Sequence, residues 1–106
     1  MTAPITPQPS KTDNEWLHPY RLRIDALDDE IIDLLAKRFE IVKEVGHLKT
    51  QQGLKIEQTK RVDIVKDRNA ERAAQKNLSP DLIRQIYTII IDHAHALEYD
   101  IKDDHS

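Results

Sequence analysis

Arg38 and Lys49 are the residues whose placement most suggests chemistry. Ile24, Leu27, Ile31, Leu34, Arg38, Ile41, Val45 and Leu48 follow one another at alternating intervals of three and four, the spacing of one stripe on a helix packed against other helices. Arg38 takes a core position in that stripe. At about 100° per residue, Lys49 returns to within roughly 20° of it, three turns on. A lone buried arginine is compatible with a snorkelling side chain or a structural ion pair. Two cations on one core face favour a pocket that holds an anion, because burying an isolated charge costs several kcal/mol. Arg21 and Arg61 lie beside apolar stripes as well, and together the four point to a small, multiply charged acid.

Other chemistries find less support. Glu98 flanks the last apolar stripe, where a carboxyl group either pairs as a carboxylate or stays protonated and donates a hydrogen bond. His93 and His95 are two apart, about 200° on a helix, and no His-Glu-x-x-His spacing occurs, so no metal site is expected. Ser10, Ser79 and Ser106 fall in the N-terminal arm, a cap and the tail, leaving no evident seryl nucleophile. Phosphate-loop glycines are missing. The expectation is a cationic pocket with no nucleophile, no metal and no organic cofactor.

Three helices are predicted to carry these residues. The first starts near Trp16 to Arg21, with Pro19 in its first turn, and runs to about Thr50, with Gly53 as its stop. At 1.5 Å per residue it would reach roughly 50 Å, more than a domain of this size can cover, and a second copy is the simplest partner for its far end. The second helix runs from Thr59, a candidate N-cap, to Lys76, with a thin apolar side of Val62, Val65 and Ala73. Arg61, Arg68 and Arg72 share that side with Val65, so this helix faces water or offers cations to a cleft. "NLSPDLIRQ" restarts the chain with Ser79 as N-cap, Pro80 at the first helical position and Asp81 by the positive end of the dipole. Ile83, Ile86, Ile90, Ala94, Leu97 and Ile101 form the third stripe, with Tyr87, Ile91 and Glu98 along one flank.

Composition agrees with a small all-α domain: 106 residues, 39% hydrophobic and 33% charged, with only two Gly and 5% aromatic residues. Residues 1–15, rich in proline, read as a disordered arm, 16–101 as the helical domain and 102–106 as a polar tail. A core this small favours oligomerisation. The chain has no cysteine, which removes disulfides and thiolate metal sites and is compatible with a reducing compartment. A net charge of −3 and a pI near 5.9 argue against nucleic-acid binding. Neither a signal peptide nor a run of about 18 apolar residues is present, so no membrane association and a cytoplasmic location are expected.

"RLRIDALDDEIIDLLAKRFEIVKEVGHLK", a helix beginning near "TKRVDIV", and "LSPDLIRQIYTIIIDHAHALE" resemble the all-helical chorismate mutases from about Leu17 to Ile101. The resemblance implies an intertwined homodimer whose long first helices cross both subunits. It also implies a cofactor-free pericyclic rearrangement of chorismate to prephenate, a step of the shikimate pathway towards aromatic amino acids. The protein's contribution would be to select a folded conformer of a small dicarboxylate and to stabilise charge on the breaking ether oxygen. Carried over by position, Arg38 binds one carboxylate in its own subunit and Arg21 reaches the other from the partner. Lys49 donates to the ether oxygen, Arg61 matches a pocket arginine, and Glu98 falls where bacterial members have glutamine and fungal members glutamate.

The sequence departs from the family at the substrate wall. Gln58 and Val62 stand where typical bacterial mutases have acidic residues, the second of which holds the ring hydroxyl, and Ala94 replaces a serine that touches a carboxylate. Val62 makes the chain similar to the sister isochorismate pyruvate lyases, which release salicylate and pyruvate, and a 4-amino-4-deoxychorismate mutase is a third option. A helical dimerisation module with no catalytic duty is the rival from another class.

Overall fold

The computed structural model describes residues 12–105, and among these the chain forms three helices and no strand: α1 (Asp13–Gln52), α2 (Thr59–Gln75) and α3 (Pro80–Asp104). The all-α expectation holds. Most of the expected N-terminal arm and Ser106 of the tail lie outside the described residues.

α1 begins earlier than the apolar pattern suggested. Thr12 caps it, its Oγ1 accepting from the Glu15 amide at 3.3 Å, and Asp13 and Glu15 put negative charge in the first turn. Pro19 therefore sits inside the helix rather than in its first turn. At the other end Gly53 adopts φ 64°, the left-handed conformation that glycine enters without a Cβ penalty. The Leu54 amide then bonds the Lys49 carbonyl at 2.9 Å and the Gly53 amide the Thr50 carbonyl at 3.5 Å, the paired bonds of a Schellman turn.

α2 starts one residue from the expected cap. Gln58 is the N-cap without a side-chain capping bond, and its amide Nε2 turns instead to the Lys55 carbonyl at 3.2 Å. Thr59 is thus the first helical residue. α2 closes on a second Schellman turn, with Asn77 at φ 59° and the Leu78 amide on the Ala73 carbonyl at 2.8 Å. α3 opens as predicted: Ser79 Oγ accepts from the Leu82 amide at 3.2 Å, Pro80 lies in the first turn and Asp81 beside it. It continues beyond Ile101 to Asp104.

The chain divides into two compact units, Met1–Lys37 and Arg38–Ser106, with the boundary inside α1. In the first unit Arg21 Nη1 donates to Asn14 Oδ1 at 2.6 Å, and Arg23 lies 5.9 Å from the centre of the Tyr20 ring. Ile24, Leu27, Ile31 and Leu34, the first half of the apolar stripe, are all more than half exposed. Among the described residues no helix is long and apolar enough to cross a membrane.

In the second unit the packed faces are offset from the predicted stripes. Along α1, Gly46 is buried and Arg38, Val42 and Lys49 are half-buried, whereas Ile41, Val45 and Leu48 are exposed. Along α3, the expected flank joins the inside: Ile91 and Glu98 are buried beside Ala94 of the expected stripe, Ile83, Ile90, Leu97 and Ile101 are half-buried, and Ile86 is exposed. Ala70 and Ala73 of α2 and Ile56 of the turn before it are buried as well, and α2 is tied to α3 by Asp67 Oδ1 and Arg84 Nη1 at 2.9 Å. Both α1 and α3 carry more apolar surface than one chain covers.

Candidate functional site

A cavity of about 280 Å³ opens within the second unit. Ile41, Val42 and Val45 of α1, Val62 and Val65 of α2, and Ile91 and Ala94 of α3 form its apolar walls. Into it face Arg38, Lys49, Arg61, His95 and Glu98. Apolar walls with a few polar groups are the usual make-up of a small-molecule site. Three cations against one carboxylate leave the lining net positive, which favours a dianion.

Lys49 and Glu98 are the most closely held groups. Lys49 Nζ lies 2.7 Å from Glu98 Oε1, with the two side chains only 15% and 5% exposed. The same ammonium donates to the Ile56 carbonyl at 2.7 Å. That second contact follows from the turn after α1: the Schellman turn at Gly53 reverses the chain and Ile56 is buried. Gly46 sets the approach of α3, since a Cβ built there would stand 3.2 Å from Glu98 Cγ and 3.1 Å from Ile101 Cδ1. An alanine at Gly46 would press on the residue that pairs with Lys49.

Two buried polar atoms lack a hydrogen-bond partner here among the described residues. Glu98 Oε1 has the ammonium of Lys49 beside it, but the contact is not aligned as a hydrogen bond. Arg38 Nη1 is the other. Its guanidinium has the Tyr87 ring 5.9 Å from Cζ, a cation–π distance that supplies no hydrogen-bond acceptor. A buried guanidinium nitrogen without an acceptor is costly unless an anion completes it. A smaller cavity of about 230 Å³ shares Arg38, Arg61 and Val65 and adds Arg68, Asn69 and Tyr87, which gives Arg68 a cationic wall to belong to.

The expected residues thus separate. Arg38, Lys49, Arg61, Val62, Ala94 and Glu98 come together around the larger cavity. Gln58 is exposed, its amide turned to Lys55, and it is not among the lining residues. Arg21 lies in the first unit, bonded to Asn14. Sequence reasoning missed Gly46 and His95. A glycine in a helix interior, at a cost of about 1 kcal/mol relative to alanine, was a signal of close packing. His95 was weighed only as a metal ligand. Its Nδ1 lies 3.7 Å from Glu57 Oε1, and Glu57 Oε2 accepts from the Tyr99 hydroxyl at 2.6 Å. That bond to Glu57 raises the pKa of Tyr99 above its ordinary value of 10.0, with desolvation and the Glu57 and Glu98 charges adding to it.

Fold and cavity define an all-helical protein with an anion-accepting pocket. The chain belongs to the type II chorismate mutase family, whose model matches residues 20–99. It is similar to the chorismate mutase of Methanocaldococcus jannaschii, 31% identical over 84 residues, which covers 79% of this chain and 85% of that protein. It is also similar to the 4-amino-4-deoxychorismate mutase of Streptomyces venezuelae, 31% identical over 80 residues, 76% of this chain and 78% of that protein. The T-protein of Haemophilus influenzae is 36% identical over 84 residues, but these are 22% of its length. No solved structure matches the chain significantly.

Proposed function

We propose that the protein is a chorismate mutase that binds the substrate in the cavity between Arg38, Lys49, Arg61 and Glu98 and rearranges it to prephenate. The observation that carries this reading is a net-positive, apolar-walled cavity in which the buried Arg38 Nη1 lacks an acceptor, in a chain of this family. Arg38 takes one carboxylate, as a guanidinium does with charge-assisted bonds. Arg61 adds a second positive charge. Lys49 donates to the ether oxygen as the C–O bond breaks, and Glu98 holds the ammonium in place. Val62 and Ala94 shape the wall that selects the folded conformer. Gln58, exposed and outside the lining, has no contact with the substrate in this reading.

The working form is an intertwined homodimer. The exposed stripe of Ile24, Leu27, Ile31 and Leu34, continued by Ile41, Val45 and Leu48, supports it, since contiguous exposed apolar surface marks an interaction site. In that dimer Arg21 reaches the second carboxylate from the partner. Mixing Arg21→Ala and Arg38→Ala chains, each inactive alone, then restores about a quarter of wild-type activity, because half the dimers are mixed and each has one complete site. Failure of any mixture to recover activity would contradict the shared site.

Product analysis of the purified protein with chorismate, isochorismate and 4-amino-4-deoxychorismate tests the activity. Prephenate from chorismate is expected. Turnover of the amino substrate instead would favour the second reading, which is supported by equal similarity to the amino-substrate mutase and by Val62, an apolar side chain in the wall. Release of salicylate and pyruvate from isochorismate would make the protein a lyase. Inactivity on all three would leave a dimerisation module.

A further inference from the structure

We propose that His95, backed by Glu57 and Tyr99, is the residue that recognises the ring hydroxyl of the substrate; this rests on the mutase reading. Chorismate offers two carboxylates, an ether oxygen and one hydroxyl on its ring. The first three are acceptors in search of donors, and Arg38, Arg61, Lys49 and the partner subunit's Arg21 supply them. The hydroxyl is the substrate's one donor and needs an acceptor. Arginine and lysine have none. Val62 and Ala94 are apolar, and the Gln58 amide is turned to the Lys55 carbonyl.

Two lining side chains remain that can accept a hydrogen bond, Glu98 and His95. Glu98 is paired in charge with the Lys49 ammonium at 2.7 Å and, on the mutase reading, stands with it at the ether oxygen rather than at the ring hydroxyl. His95 follows Ala94 on α3 and is half-buried in the cavity wall. It turns Nδ1 towards Glu57 Oε1 at 3.7 Å, beyond direct hydrogen-bond distance but on the carboxylate's side of the ring. In the neutral imidazole, a proton on the Glu57 side at Nδ1 leaves Nε2 as the acceptor. Glu57 is itself oriented by the Tyr99 hydroxyl at 2.6 Å. The chain has thereby moved the hydroxyl acceptor from α2, where Val62 stands, to α3.

The test compares kcat/KM for chorismate and for a chorismate analogue lacking the ring hydroxyl. His95→Val is expected to lower kcat/KM for chorismate about tenfold, the scale of one hydrogen bond, and to leave the analogue unchanged. Glu57→Gln, at an exposed position that does not threaten folding, is expected to lower the ratio of the two values in the same direction by a few-fold. A merely structural role would reduce both substrates equally, and that result, or unchanged chorismate turnover in both variants, would overturn the assignment. A wild-type protein that fails to convert chorismate would instead remove the mutase reading on which the assignment stands.

Discussion

Lys49 Nζ and Glu98 Oε1 stand 2.7 Å apart in the wall of the cavity, both side chains nearly enclosed. The pair joins the last turn of α1 to α3 and holds the ammonium in the cavity lining. Lys49→Ala removes that donor and leaves a buried carboxylate without its cation. Turnover of chorismate is expected to fall by about 3 to 4 kcal/mol of transition-state stabilisation, the scale of one oxyanion-hole donor. Stability should fall as well, because breaking one side of a buried pair costs about 3 to 5 kcal/mol. Steady-state kinetics on the folded fraction separates the two, and nearly full turnover would refute the role of Lys49.

Glu98 can donate to the ether oxygen only in its protonated form. As a carboxylate it only holds the ammonium of Lys49, and Glu98→Gln, which removes that anion, is then expected to lower turnover of chorismate. Steady-state kinetics of Glu98→Gln checks this; turnover at or above the wild-type rate would give position 98 a donor's duty instead.

Gly46 lies opposite Glu98, with 3.3 Å between a built Cβ and Glu98 Cα. Gly46→Ala gains about 1 kcal/mol of helix propensity but crowds α3, and such overpacking costs about 1 to 3 kcal/mol. The expected outcome is a variant destabilised by about 1 kcal/mol, with turnover reduced because Glu98 and Lys49 are shifted together. Thermal unfolding and kinetics check it; a more stable and fully active variant would mean that α3 yields freely.

The Tyr99 hydroxyl donates to Glu57, and its pKa is raised above the ordinary 10.0. The raised folded value means that the bond's contribution to stability is fully present below the unfolded value of about 10 and is lost as pH rises through the folded one. The difference between ultraviolet titrations of the wild type and of Tyr99→Phe reads this directly; a difference curve that places the Tyr99 ionisation at or below 10.0 would contradict the contact.

The caps and the cationic residues were legible before the fold. Ser79, Pro80 and Asp81 announce α3, and Gly53 ends α1, because capping is local chemistry. The helical period alone brought Arg38 and Lys49 to one side. The faces were harder. Ile41, Val45 and Leu48 of α1 and Ile86 of α3 look like core, yet remain exposed, while Gly46, Ile91 and Glu98 are inside. Periodicity reports apolar residues without saying which surface covers them, and these helices carry two apolar sides. Contacts such as Tyr99 with Glu57, 42 residues apart, leave no trace in spacing at all.

Arg38 gives the most direct test of the central claim, that cations occupy packed positions of these helices in order to hold a substrate. Its Nη1 is buried without a hydrogen-bond partner among the described residues, so Arg38→Leu should leave stability unchanged or raise it, as hydrophobic replacements of buried charge often do. The measurement is prephenate formation by Arg38→Leu beside its melting temperature. The predicted result is an equally stable protein with turnover lost. A variant that folds as well and still converts chorismate at the wild-type rate would contradict the account.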